Sequence, residues 1–199
     1  HYLGREKVFF VAAGNEAQVG IVRGLAWTSV GGDTLQIEVN VMPGKGVLQM
    51  TGQMGDVMKE SAQIALTYVR SVASDYGVKE NYFEKHDIHL HIPEGAVPKD
   101  GPSAGITMAT AMLSAVTGRK VLPRVAMTGE VTLRGHVLMI GGLKEKLLAA
   151  RMAQVEKVLV PAKNQPDVEE LSKEITKGME IVYIKEMNEV IREAFVPEK

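Results

Sequence analysis

The stretch PKDGPSAGITMATAMLSAVTG, residues 98–118, joins a polar, proline-containing loop directly to a helical run that carries no charged side chain. A helix that is apolar on every side has to be buried, so we predict a core helix over Ser103–Thr117. Gly118 stands where a C-terminal cap is expected. A hydroxyl at Ser103 would then lie where a polar loop turns into a buried helix.

The chain before this stretch is rich in β-forming residues and contains one long amphipathic run. Apolar positions in that run recur at helical spacing, and Gly77 follows it as an expected cap. The predicted breaks between strands are Gly14-Asn15, Gly31-Gly32-Asp33 and Pro43-Gly44. The predicted elements are strands at Val8–Ala13, Gly20–Trp27, Thr34–Val41 and Asp87–Ile92, with the helix at Val57–Tyr76.

The chain after this stretch alternates short strands with helices, which favours a parallel βαβ arrangement. The predicted elements are strands at Val125–Leu133 and His136–Ile140 around an Arg134-Gly135 turn, a helix at Leu143–Ala153, a strand at Val158–Val160, a helix at Val168–Thr176, a strand at Ile181–Ile184 and a helix at Met187–Phe195. The fold class is therefore mixed α/β (α+β), with a β-rich N-terminal half and a βαβ C-terminal part.

Composition excludes several classes of function. The 199 residues are 45% hydrophobic and 24% charged with a net charge of −1, and no basic stripe suggests nucleic-acid binding. No apolar run approaches the ~20 residues that span a bilayer. The chain has no cysteine, which rules out a disulfide framework and a thiol nucleophile. It opens at His1 rather than Met, and we expect it to be part of a longer protein.

Ser103 is the first candidate for chemistry, and three interpretations of it remain open. Unpaired N–H groups at a helix start can bind an oxyanion, so Ser103 could be a nucleophile. It could also be a simple N-cap, a position that favours serine. Gly101–Gly105 further matches the G-x-S-x-G elbow of α/β-hydrolases, with His136 and Glu130 as partners, although an elbow needs a strand directly before the serine.

Lys146 is the best-placed base if Ser103 attacks without a histidine. On the predicted helix it lies at the edge of the apolar face, and it lies near the helix start, where the dipole disfavours another positive charge. Lowering its pKa from about 10.4 to about 7 would require substantial burial. The alternative is a surface lysine whose amine reaches into solvent.

Two further features are open to a functional or a structural interpretation. His86, His89 and His91 lie close together, and two of them share a strand face, but no third metal ligand is evident. Trp27 could anchor a partner, although a place in the core is favoured. The sequence contains no G-x-x-x-x-G-K-[ST] phosphate loop.

Several motifs, in this order, resemble the proteolytic domain of the Lon protease family. They are MKES at 58–61, EGA at 94–96, PKDGPSAG at 98–105, AMTGEVTLRG at 126–135 and IGGLKEK at 140–146. The resemblance covers the whole chain, and we expect one Lon-type proteolytic domain over residues 1–199. It implies a serine endopeptidase with Ser103 as nucleophile and Lys146 as general base, the lysine that helix geometry also favours.

The resemblance implies roles for neighbouring residues as well. Thr128 would help to hold the lysine amine, and Asp100 would lie in a loop whose conformation separates active from inactive states. Backbone groups around Gly101, Pro102 and Ala104 would form the oxyanion site. The alternative is a catalytically silent Lon-like module kept only for ring assembly, against which the retention of both Ser103 and Lys146 speaks.

The resemblance also implies partners that lie outside this chain. In such proteins an N-terminal substrate-binding region and an ATPase domain, which binds ATP and Mg, precede the proteolytic domain and deliver unfolded polypeptides. The family assembles as rings, usually hexamers. The PKDG form of the signature is similar to the soluble branch, so we expect bacterial cytoplasm before mitochondrial matrix, with no cofactor, metal, membrane or nucleic acid bound by this domain.

Overall fold

A computed structural model describes Gly14 and residues 16–28 and 31–199 of the chain. The strand expected at Val8–Ala13 lies outside the described residues. No helix in the described part of the chain is long and apolar enough to cross a membrane.

Seven strands of the described residues form one mixed sheet, and two short ones form a separate hairpin. The sheet strands are β1 (Ile21–Thr28), β2 (Gly31–Pro43), β3 (Leu48–Thr51), β4 (His86–His91), β5 (Val125–Met127), β8 (Lys157–Pro161) and β9 (Glu180–Ile184), and the hairpin pairs β6 (Glu130–Val131) with β7 (Val137–Leu138). The order in the sheet is β3-β4-β2-β1-β5-β8-β9, with parallel pairing on the β1-β5-β8-β9 side.

Helices cover both faces of this sheet. Successive residues of β8 show the two faces, because Val158 and Val160 belong to one hydrophobic cluster and Leu159 to the other. The helices are α1 (Asp56–Val72), α2 (Tyr82–Lys85), α3 (Gly105–Thr117), α4 (Leu143–Met152), α5 (Gln165–Glu169), α6 (Lys173–Thr176) and α7 (Met187–Ala194). Helices α1, α3 and α7 pack on the Leu159 side, and α4 lies on the opposite side.

The predicted core helix is confirmed, with a later start. Every residue of α3 is buried except Ala115 and Thr117, as its uncharged sequence requires. It ends at Gly118, whose φ of 72° gives the left-handed cap that glycine adopts without strain. Its first residue is Gly105 rather than Ser103, because the chain makes a separate turn before the helix begins.

Other predicted boundaries are wrong where tertiary contacts override local pattern. Residues 31–33, expected as a turn, are part of β2 and pair with the end of β1. The run Val125–Leu133 divides into β5 and β6 at Thr128-Gly129, and Val168–Thr176 divides between α5 and α6. The strand β3 and the short helix α2 had no prediction, because each is only four residues long.

The class of fold is confirmed. The β-rich N-terminal half supplies β1 to β4, and the C-terminal part supplies the parallel strands β5, β8 and β9 with helices between them. In parallel arrangements of this kind, functional groups gather beyond the carboxyl ends of the strands. The residue that follows β5 is Thr128.

Candidate active site

Ser103 and Lys146 line the same cleft, which has a volume of about 440 Å³. Ser103 comes from the loop before α3, on one face of the sheet, and Lys146 comes from α4 on the other face. The two meet beyond the carboxyl end of β5, where Thr128 lies. The fold thus brings together three candidates that are far apart in sequence.

The backbone of Ser103 is held by the chain that leaves β5. Its carbonyl accepts a hydrogen bond from the Gly129 N–H at 2.8 Å, and the Ile106 N–H donates to the Gly129 carbonyl at 3.1 Å. Residues 102–105 form a turn, and the N-cap of α3 is Ala104. The interpretation of Ser103 as an N-cap is therefore wrong, and its partly exposed side chain borders the cleft.

The backbone N–H groups around Ser103 differ in whether they already donate a hydrogen bond. The Gly101 N–H donates to Asp100 Oδ1 at 2.8 Å, and Pro102 has no N–H. The N–H groups of Ser103 and Ala104 form no hydrogen bond within the described part of the chain. Of the expected oxyanion donors, the ones that are free to bind an anion are thus those of Ser103 and Ala104.

Lys146 is a buried lysine with only 3% of its surface exposed. Its Nζ donates to Thr128 Oγ1 at 3.3 Å, and its backbone N–H makes the first turn of α4 by donating to the Gly142 carbonyl at 3.0 Å. Burial lowers the pKa of the Lys146 amine to about 8, because the charged form loses its hydration. The interpretation as a surface lysine is therefore wrong, and the amine loses its proton more readily than that of an ordinary lysine.

Thr128 connects the amine to the serine turn. Its side chain is fully buried, and its Oγ1 accepts from Lys146 Nζ while lying 3.5 Å from the Ser103 carbonyl, to which it donates. A hydroxyl can accept and donate at once, so Thr128 satisfies both neighbours. The sequence-based expectation of Thr128 beside the lysine amine agrees with this geometry.

Asp100 also borders the cleft, but its carboxylate is directed at the start of α1. Oδ1 accepts from the Met58 N–H at 2.9 Å and from the Gly101 N–H. Hydrogen bonds from Met58 and Gly101 lower the pKa of this carboxyl. Asp100 thus caps α1 from a distant loop, since the residue at the N-cap itself, Gly55, has no side chain to do so.

Lys99 fastens the same loop. Its Nζ donates to three backbone carbonyls, those of Gly52, Glu94 and Val97, at 2.8, 2.7 and 2.6 Å. The loop that carries the serine is thereby tied to the end of β3 and to itself.

Trp27 was expected in the core and instead is 61% exposed at the wall of the cleft. It is near the end of β1, opposite Gly32 of β2, and its Cβ packs against Gly142 at the start of α4. The sequence of β1 does not predict that Trp27 is exposed. Its exposure depends on which elements lie beside the end of β1, and these come from distant parts of the chain. Sequence reasoning likewise missed Met139, Ile140 and Gly141 as cleft residues.

The histidines lie away from this cleft. Thr51 Oγ1 is 2.9 Å from His89 Nε2 and 2.7 Å from His91 Nδ1, on the β3-β4 side of the sheet. No group of three His, Asp or Glu side chains with metal-holding geometry occurs among the described residues. His136 Nδ1 lies 2.8 Å from Glu186 Oε1, and His136 does not border the cleft. A loop rather than a strand precedes Ser103. The structure therefore does not support an α/β-hydrolase nucleophile elbow.

The cleft combines a serine hydroxyl, a buried amine and unpaired backbone N–H groups, the set of groups that acyl-transfer chemistry requires. The family model described as "Lon protease (S16) C-terminal proteolytic domain" matches residues 1–197. The chain belongs to this family of proteolytic domains.

Bacterial proteins named Lon protease are similar to nearly all of this chain. Identity is 65% with the one from Lachnoclostridium phytofermentans and 55% with that from Heliobacterium modesticaldum, over 98% of this chain and 24% of each relative. Lon protease 1 of Bacillus subtilis is 52% identical over 100% of this chain and 26% of its own length. The chain thus spans about a quarter of the length of these relatives.

Proposed function

We propose that this chain hydrolyses peptide bonds with Ser103 as nucleophile and Lys146 as general base. The observation that carries the proposal is the buried Lys146 amine, which borders the same cleft as Ser103 and has a pKa lowered to about 8. A neutral amine can accept a proton, whereas an ordinary surface lysine is protonated near neutral pH. Membership of a family of proteolytic domains supports the same reaction.

In the first step, neutral Lys146 takes the proton of the Ser103 hydroxyl while Oγ attacks the peptide carbonyl carbon. The negative charge that develops on the carbonyl oxygen is stabilised by the free N–H groups of Ser103 and Ala104. The Lys146 ammonium then protonates the leaving amine as the peptide bond breaks. Water, activated by the same amine, hydrolyses the acyl-enzyme, and Thr128 keeps the amine in place throughout.

We further propose that the reaction works on unfolded or regulatory polypeptides delivered by an ATP-driven unfoldase. The relatives are about four times as long as this chain, which leaves room in them for an ATPase that binds ATP and Mg. We expect a ring, with six copies as the family resemblance implies, in the cytoplasm of a bacterium. In this arrangement ATP drives unfolding and this domain needs no cofactor of its own.

The test is cleavage of a short, unstructured fluorogenic peptide by the chain and by its Ser103→Ala and Lys146→Ala variants. Both substitutions should abolish cleavage, by about a thousandfold or more, because each removes a participant in bond making. Lys144→Ala is the matched control, since Lys144 is an exposed lysine on the same helix. It should retain the wild-type rate.

Covalent capture separates a silent module from an active one. A peptide boronate or a sulfonyl fluoride should label Ser103 in the wild type and leave Ser103→Ala unlabelled. Near-normal turnover by Lys146→Ala would refute lysine as the base. Absence of both labelling and cleavage, even when the chain is joined to the ATPase region of a relative, would favour the ring-assembly module instead.

A further inference from the structure

Asn164 is a fully buried polar residue that takes no part in the chemistry proposed above. It lies between β8 and α5, and its side-chain amide forms two hydrogen bonds with the backbone of a single residue. Oδ1 accepts from the Ile140 N–H at 3.0 Å, and Nδ2 donates to the Ile140 carbonyl at 2.9 Å. The amide therefore does for Ile140 what a neighbouring β-strand would do.

Ile140 itself determines which way this amide points. Its N–H can only donate and its carbonyl can only accept, so Oδ1 must face the N–H and Nδ2 must face the carbonyl. The second hydrogen of Nδ2 is donated to the neighbouring Asp167 Oδ2 at 2.8 Å, which supports the same orientation. All three hydrogen bonds of Asn164 are satisfied in one orientation, so the arrangement is rigid.

The segment that Asn164 holds is the one that leads to Lys146. Ile140-Gly141-Gly142 joins β7 to α4, and Ile140 and Gly141 form part of the cleft wall. The Gly142 carbonyl accepts the backbone N–H of Lys146 at 3.0 Å. Only one residue separates Ile140 from the carbonyl on which the Lys146 turn depends, and without a clamp two consecutive glycines would leave this segment mobile.

We infer that Asn164 is a positioning residue, which holds the Ile140–Gly142 segment against the core and thereby keeps the Lys146 amine shielded from water at the cleft. This inference rests on the proposed function of Lys146. If Asn164 is replaced by an apolar residue, the Ile140 N–H and carbonyl lose their partners and turn towards water. The cleft wall then opens next to the amine, and the amine becomes hydrated.

Hydration of the amine has a definite electrostatic consequence. Desolvation is the cause that lowers the Lys146 pKa, and the carboxylates that line the cleft with it are Asp100 and Glu130. Glu145 is its neighbour on α4, and none of these three produces the shift. Loosening the wall should therefore raise the Lys146 pKa towards the ordinary value of about 10.4 and reduce the neutral fraction at neutral pH.

The experiment measures the Lys146 pKa directly, by NMR titration of the lysine side-chain ¹³Cε signals, and measures peptide cleavage alongside it. The Lys146 signal is the one missing from Lys146→Ala. In Asn164→Leu, which keeps the shape of the side chain, the pKa should rise by about half a unit or more. The kcat, normalised to the fraction of molecules whose Ser103 reacts with the sulfonyl fluoride, should fall roughly tenfold or more, because a misplaced base is no longer oriented for proton transfer.

Two further variants make the result interpretable. Asp167→Ala removes one of the three hydrogen bonds of Asn164 and leaves the two to Ile140, so the clamp is weakened and the pKa should shift in the same direction by less. Ser114→Ala is the matched control, because Ser114 is also fully buried and bonds two backbone groups, Gly20 N–H and Arg119 carbonyl, at the far end of α3. It should lower stability and leave the Lys146 pKa unchanged.

The outcomes separate this inference from the proposed function. A Lys146 pKa that stays at its wild-type value in Asp167→Ala and in Asn164→Leu would overturn the positioning role. If Asn164→Leu does not fold, the Asp167→Ala titration decides alone. If Lys146→Ala still cleaves peptide, the proposed function fails, while a raised Lys146 pKa in the Asn164 and Asp167 variants would still support the shielding itself.

Discussion

At the residue scale, the decisive property of this protein is the environment of one amine. Lys146 is buried to 97% of its surface and has a hydroxyl, that of Thr128, as its hydrogen-bond partner rather than a carboxylate. A carboxylate partner would stabilise the charged form and raise the pKa, whereas a neutral hydroxyl leaves desolvation unopposed. The result is a lysine whose pKa is lowered at the expense of stability, as the proposed role in proton transfer requires.

That expense can be measured with Lys146→Met. Folding lowers the Lys146 pKa from 10.5 to about 8, so between these values the unfolded chain binds more protons and wild-type stability rises with pH. Below pH 8 the full cost of burying the charge is present. Urea unfolding should show Lys146→Met gaining stability relative to wild type at pH 7, with about 3 kcal/mol of that gain disappearing towards pH 10.

The exposed neighbour Lys144 supplies the control for this measurement. Lys144→Met should change stability by nearly the same small amount at both pH values. A constant difference between Lys146→Met and wild type across this range would contradict a depressed lysine pKa.

At the element scale, the position of α4 depends on a close approach to β2. A Cβ on Gly32 would lie 1.9 Å from the Glu145 carbonyl oxygen, a contact that backbone atoms cannot absorb without movement. Gly32 is needed here because α4 packs directly on the strand, and not because of a turn. The helix that carries Lys146 can therefore pack closely on the sheet because Gly32 has no side chain.

Gly32→Ala should therefore push α4 away from β2. We expect a loss of about 1–3 kcal/mol in the free energy of unfolding, the usual cost of overpacking, together with reduced peptide cleavage. Gly141→Ala is the control for stability, because a Cβ at that position meets nothing within 4 Å. Equal stability of the two variants in urea titrations would show that β2 and α4 are not in tight contact.

At the scale of the whole molecule, the two sides of one sheet meet at a single cleft. Helix α3 and its preceding loop bring Ser103 from one face, α4 brings Lys146 from the other, and Thr128 lies between them at the end of β5. Such a site is assembled when the sheet and both helix layers are in place. The function proposed above therefore assigns bond cleavage to this domain and the unfolding of substrates to another part of the longer protein.

This division predicts how nucleotide affects the isolated chain. Addition of ATP and Mg should leave the cleavage rate of a short, unstructured peptide unchanged, because the sequence contains no phosphate loop. A stably folded substrate should resist cleavage under the same conditions, with an unfolded variant of that substrate as the control. Stimulation of peptide cleavage by ATP in this chain alone would contradict the division.

Much of this protein was predictable from sequence because the relevant signals are local. The uncharged run after residue 103 predicted a buried helix, helical spacing placed Lys146 at the edge of an apolar face, and the alternation after residue 125 predicted parallel βαβ structure. Each of these depends on side chains within a few turns of one another. The motifs around Ser103 and Lys146 predicted the family on the same basis.

The tertiary structure alone decided the features that depend on residues far apart in the chain. Trp27 lines the cleft because the start of α4 lies beside the end of β1. Asp100 caps a helix that begins some forty residues earlier in the chain, and the Asn164 side chain bonds to the backbone of Ile140, 24 residues earlier. None of these has a periodic pattern, because hydrogen bonds and packing across a sheet are set by strand order and register. Sequence therefore indicated which groups could react, and the fold determined their hydrogen-bond partners and the burial of one of them, the Lys146 amine.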